Sequence, residues 1–227
     1  METREKVIVI TGASKGLGKA LALAFKREGA TLILASHLGK ELDTLAEKLS
    51  AYAFAAEVTD EKQVMQLAKF TVKKFGRIDV WINNAGIRIP HGPIEKLDSK
   101  RVHEMMEVNL FGVIYGSKAA LTQMRRQHSG TIINILSTSA LIGRAFSSVY
   151  CASKYAAAGF TKSLRQESEP DVLVMEIYPG GMKTNLFDED KPEDFDSYMD
   201  PNYVAEIIVE NFKKATPEKE LIIKRNK

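Results

Sequence analysis

Tyr150 and Lys154 stand four residues apart, a spacing that puts both side chains on one face of a helix. A phenol normally gives up its proton near pH ~10, too high for acid–base work at neutral pH. A neighbouring ammonium favours the phenolate and lowers that value. Thirteen residues upstream, Ser137 ends the apolar run Ile133, Asn134, Ile135, Leu136. A serine hydroxyl there can donate to a substrate oxygen as it gains negative charge. Ser139 competes for that role. Taken alone, the pair also fits a surface tyrosine beside a solvated lysine.

A second constellation lies near the N-terminus. Thr11-Gly12-Ala13-Ser14-Lys15-Gly16-Leu17-Gly18 follows a β-branched run and precedes a helix-like stretch. Glycines permit a tight turn and let a phosphate approach the backbone, and a helix N-terminus offers free N–H groups to it. The spacing is G-x-x-x-G-x-G, which also fits a plain strand-to-helix turn. Folds that take NAD carry an acid after the next strand for the ribose 2′-hydroxyl. Here that position reads Ala35-Ser36-His37. Serine, histidine and the nearby Lys15 can all donate to a 2′-phosphate, which an acid would repel. The expected cofactor is therefore NADP(H).

Alternating elements must position these residues. Apolar runs predict strands over 7–10, 31–35, 52–55, 79–82, 131–136, 172–177 and 221–223. Helical periodicity or capping predicts helices over 17–28, 42–49, 60–75, 99–127, 150–167 and 202–214. Asp60 and Gln63 suggest a capping box, and Gly76 a left-handed stop. Such alternation gives an α/β fold. The expectation is one Rossmann-type doubly wound parallel sheet of about seven strands, with helices on both faces. Ligands on such sheets bind at the carboxyl ends of the strands, where all these motifs fall. One domain is expected over 1–227, with a short substrate lid near 182–200.

In order and spacing, these motifs resemble the short-chain dehydrogenase/reductase family across nearly the whole chain. The resemblance implies a cofactor turn of Gly12, Gly16 and Gly18, with Ser14, Lys15 and Leu17 beside it. It implies that Asn84, Ala85 and Gly86 support the adenosine end, and that Lys15 is the basic position of NADP-preferring members. It also implies a catalytic tetrad of Asn109, Ser137, Tyr150 and Lys154. The serine orients the substrate, the tyrosine exchanges a proton, the lysine binds the nicotinamide ribose, and the asparagine holds a relay water. Pro179, Gly180 and Thr184 match the segment that meets the nicotinamide. The family's aspartate–hydrophobic pair at the adenine is Glu57-Val58 here, and the chain is short for the family.

Composition narrows the function classes. Net charge is +3 with scattered cations, which gives no footprint for nucleic acid. No apolar stretch is long enough for a bilayer, and Met1 to Lys6 lacks a secretory signal pattern. A single cysteine, Cys151, excludes an intrachain disulfide and suits a cytoplasmic protein. His91 has no second ligand to suggest a metal. The expected activity is hydride transfer between NADP(H) and a small-molecule carbonyl or alcohol, in a homodimer or homotetramer. A 3-oxoacyl-thioester reductase and a non-catalytic NADP(H) sensor are alternatives. Asp188, Glu189, Asp190, Glu193, Asp194, Asp196 and Asp200 face only Lys183 and Lys191 in that stretch. If the segment closes over the site, its mouth is negative and disfavours anions; otherwise the stretch is a solvated loop.

Overall fold

The computed structural model describes residues 3–37 and 39–225; Met1 and Glu2 of the N-terminal stretch lie outside them. All seven strands run parallel in one sheet of order β3-β2-β1-β4-β5-β6-β7. They are β1 (Val7–Thr11), β2 (Thr31–Ser36), β3 (Tyr52–Ala55), β4 (Val80–Asn83), β5 (Thr131–Ile135), β6 (Leu173–Pro179) and β7 (Glu220–Ile223). The central strands are buried on both faces, which is why they read as mostly apolar runs.

Period-two alternation divides the core. Ile8 and Ile10 of β1 face α1 (Gly16–Arg27), α2 (Lys40–Leu49) and α7 (Pro201–Lys213). Phe25 and Phe212 meet there edge to face at 5.8 Å. Val7 and Val9 face the opposite layer, built on α3 (Glu61–Phe75), α5 (Gly112–Gln127) and α6 (Ser148–Ser168). The winding reverses between β1 and β4, so a crevice opens at their carboxyl ends.

Three details differ from the sequence expectation. The helix expected over 99–127 is α4 (Ser99–Met106), a π turn over Glu107–Phe111, and then α5. Asp60 caps α3 by accepting from Lys62 N at 2.8 Å and Gln63 N at 3.2 Å, but the capping box is not reciprocal. Gln63 Oε1 accepts instead from Glu57 N at 3.0 Å, which fixes the Glu57-Val58 pair. The helix expected from Tyr150 begins at Ser148, so Tyr150 stands in its first turn.

Candidate active site

A cleft of about 1460 Å³ runs along the carboxyl ends of the strands. Gly12 turns at φ 62°, and a Cβ there would stand 2.8 Å from Ala85 Cα. A Cβ on Gly18 would stand 2.2 Å from the Gly12 carbonyl oxygen, so side chains at both positions would push the turn off β4. Asn84 Nδ2 locks the same turn, donating to the Thr11 and Gly12 carbonyls at 2.9 and 3.1 Å. Gly18 thus braces the turn from behind, whereas Gly12, Ser14, Lys15, Gly16 and Leu17 line the cleft. No side chain caps the N-terminus of α1, and no acid stands in its first turn. Its N–H groups and partial positive charge suit an anion.

At the end of β2, Ser36 Oγ lies 3.1 Å from Ser14 Oγ, and His37 is exposed. Lys15 Nζ pairs with Glu41 at 3.2 Å, both side chains in solvent. Glu57 and Val58 line the cleft nearby. Gly112 lets Val58 pack closely, since a Cβ there would meet Val58 Cγ2 at 3.0 Å. Ala85, Gly86, Pro179, Gly180 and Thr184 line the same cleft.

Ser137, Tyr150 and Lys154 converge farther along it. The Ser137 hydroxyl acts on the Tyr150 phenol from the cleft, whereas Ser139 is more deeply buried. Ser137 Oγ also accepts from Ser139 N at 3.1 Å. Desolvation pushes the Tyr150 phenol above its ordinary value, while the Ser137 bond and the cations Arg88 and Arg144 draw it down. Lys154 Nζ lies 6.0 Å from the Tyr150 ring centre and donates to the Ile135 carbonyl at 3.2 Å. Burial draws the Lys154 ammonium down to about 8.

Asn109 lies behind the cleft wall, fully buried on the π turn. Its Oδ1 accepts from Ile87 N at 2.9 Å, and its Nδ2 donates to the Ile87 carbonyl at 2.9 Å and Ser153 Oγ at 3.1 Å. Ser153 in turn donates to the Tyr150 carbonyl at 2.8 Å. The amide therefore clamps the loop after β4 to the turn of α6 that carries Tyr150. A second buried brace joins the strands beneath. Asn83 Nδ2 donates to Asn134 Oδ1 at 2.8 Å, and Asn134 Nδ2 donates to Thr161 on α6 at 3.0 Å. Asparagines inside otherwise apolar strands were the sequence signal for this brace.

The acidic segment is not the negative mouth its composition suggested. Asp190 accepts from Arg88 at 2.8 Å, Glu189 is held by Arg101 at 2.8 Å, and Asp194 pairs with Arg225 at 2.6 Å. Arg88, Arg101, Arg144 and Arg225 all line the cleft, and sequence reasoning passed over every one. Arginines scattered over 137 positions give no local pattern. Among the described residues, no cluster of His, Cys, Asp or Glu is arranged for a metal, and no helix is long and apolar enough to cross a membrane.

The short chain dehydrogenase family model matches residues 6–194. The chain belongs to that family. As a short-chain dehydrogenase it is an oxidoreductase on a Rossmann-type sheet. It is 35% identical to an uncharacterized oxidoreductase of Staphylococcus saprophyticus, over 88% of this chain and 83% of the relative. It is 36% identical to the L-fucose dehydrogenase of Oryctolagus cuniculus, over 81% of this chain and 65% of that one. Among solved structures, it superposes on an alcohol dehydrogenase from the archaeon Thermococcus sibiricus, complexed with 5-hydroxy-NADP. The TM-score is 0.88 at 30% identity, covering 97% of this chain and 96% of that chain.

Proposed function

We propose that this short-chain dehydrogenase interconverts a carbonyl and an alcohol with NADP(H), with Tyr150 as the proton-transfer group. The observation that carries this reading is the meeting of Ser137, Tyr150 and Lys154 in the cleft that also holds the glycine turn. NADPH supplies the hydride for reduction when bound.

The chain's own residues account for the rest. The Ser137 hydroxyl donates to the substrate carbonyl oxygen and orients it. Tyr150 is a neutral phenol at neutral pH and carries the proton given to that oxygen; the Ser137 hydroxyl and the cations Arg88 and Arg144 work against the desolvation that raises its value. Arg88 and Arg144 then stabilise the phenolate left behind. In the alcohol-oxidising direction Tyr150 takes the proton back. Lys154, held from behind by the Ile135 carbonyl, has donors left for the ribose hydroxyls of the cofactor. Asn109 keeps the Tyr150 turn in register with the loop after β4.

NADP(H) is preferred over NAD(H) because the end of β2 offers hydroxyls from Ser36 and Ser14, with Lys15 and His37 beside them and Ala35-Ser36-His37 in place of an acid at the strand's end. The NADP analogue bound by the Thermococcus sibiricus relative supports the same choice. Residues 182–200 serve as the substrate lid of a single domain. The outer faces of α5 and α6, where Tyr155 is 46% exposed, are the surfaces for a homodimer or homotetramer.

The test is oxidation of NADPH, followed by absorbance, across a panel of ketones and aldehydes. At least one should be reduced, and Tyr150→Phe should abolish the signal. A panel that gives no turnover, with NADPH bound, would favour the sensor alternative. Light scattering at micromolar protein reads the assembly.

A further inference from the structure

Four arginines line the substrate end of the cleft, and one of them has no carboxylate partner among the described residues. Arg88 is satisfied, donating to the Asp190 carboxylate at 2.8 Å and to its carbonyl at 3.2 Å, and lying over the Phe187 ring. Asp190 is thereby neutralised. Arg144 is different. It lines the cleft, is exposed, and donates to the neutral Thr138 Oγ1 at 3.3 Å. Among the described residues, no carboxylate lies within ion-pair distance of it. A guanidinium presents five donors in a planar fork matched to a carboxylate, so one hydroxyl leaves most of that fork unused.

Its position is the substrate side of the proton donor. Thr138 adjoins Ser137, and the field of Arg144 acts on Tyr150 from α6, on His91 from the loop after β4, and on Tyr198 from the lid. Leu141 and Ile142, 38% and 62% exposed, supply apolar lining just before Arg144 in the chain. Of the carboxylates lining the cleft at this end, Glu189 is paired, Asp188 accepts from Asn185 at 2.9 Å, and Glu104 is exposed on α4.

We propose that Arg144 forms an anion subsite beside the Tyr150 hydroxyl, so that the preferred substrates are carbonyl compounds carrying a carboxylate, their carbon chain against Leu141 and Ile142. The proposal rests on the carbonyl-reductase reading above, and it reverses the expectation that the acidic lid repels anions.

The test uses straight-chain oxo acids, with the carbonyl at successive distances from the carboxylate, each assayed beside its methyl ester with NADPH. At least one acid should exceed its ester in kcat/KM by about tenfold, the worth of a charged hydrogen bond. Arg144→Gln should bring that ratio down by about tenfold, and Arg144→Lys should retain part of it. High salt should narrow the preference. In parallel, calorimetry on the NADP⁺-saturated protein should show hexanoate binding that Arg144→Gln weakens and methyl hexanoate binding that it does not. Esters reduced as well as every acid, or a ratio unmoved in Arg144→Gln, would overturn the subsite and leave the reductase reading standing. Turnover of no pair would instead overturn the reductase reading, and the hexanoate titration would then decide the subsite by itself.

Discussion

Lys154 Nζ donates to the Ile135 carbonyl at 3.2 Å, which ties the ammonium of α6 to the last residue of β5. One neutral carbonyl balances the charge of a residue that is only 5% exposed. The site therefore holds an ammonium at a cost to the fold.

Lys154→Met should stabilise the cofactor-free protein at neutral pH while removing activity. The folded value is drawn down to about 8 from the ordinary 10.5, so the native state binds this proton less tightly than the unfolded chain. The penalty is full below the folded value and fades as pH rises to the unfolded one. The melting temperature of Lys154→Met should exceed that of the parent by ~3 °C at pH ~7, with the gap closing in alkaline buffer. NADPH affinity, read by fluorescence titration, should fall in the same variant. A lower melting temperature at neutral pH would contradict the account.

Tyr150→Phe keeps the ring and removes the transferable proton. Turnover should drop about a hundredfold or more, in line with typical acid–base contributions. NADPH affinity should change little, since the glycine turn and Lys154 remain. Because burial raises the phenol above its ordinary value, the parent's reductive rate should hold until strongly alkaline pH. Near-normal turnover in Tyr150→Phe would remove this residue from the mechanism.

Ser36→Asp places a carboxylate where Ser36 Oγ now meets Ser14 Oγ at 3.1 Å. The added charge repels a 2′-phosphate and accepts from a 2′-hydroxyl. The NADPH-over-NADH ratio of kcat/KM should fall by about tenfold or more, since one charged hydrogen bond to the phosphate gives way to one to the hydroxyl. A parent protein that already works as well with NADH would refute the cofactor assignment.

Gly18→Ala brings a methyl to 2.2 Å from the Gly12 carbonyl oxygen and 2.5 Å from Asn84 Nδ2. Both neighbours are fixed by the bond between them, so the turn must move. Cofactor affinity should fall at least about tenfold, and the melting temperature should fall with it, as for an overpacked site costing about 1–3 kcal/mol. Gly143→Ala, where no atom lies within 4 Å of the added carbon, is the control and should leave stability near that of the parent.

Local pattern alone determined the alternation of seven strands with helices, because burial on both faces of the central strands leaves apolar runs that need no partner to be recognised. It also determined the glycine turn and the spacing of Ser137, Tyr150 and Lys154, since a turn and a helix face are short-range geometry. Only the tertiary structure decided what each of these residues touches. It placed Gly18 and Asn109 behind the cleft wall and drew the buried asparagine brace across β4, β5 and α6. It paired the acids of the lid with Arg88, Arg101 and Arg225, residues 102, 88 and 31 positions away. Charge along a sequence is a sum over neighbours in the chain, whereas the field in a cleft is a sum over neighbours in space. That difference pairs much of an acidic stretch with distant arginines and leaves Arg144 in the cleft without a carboxylate partner among the described residues.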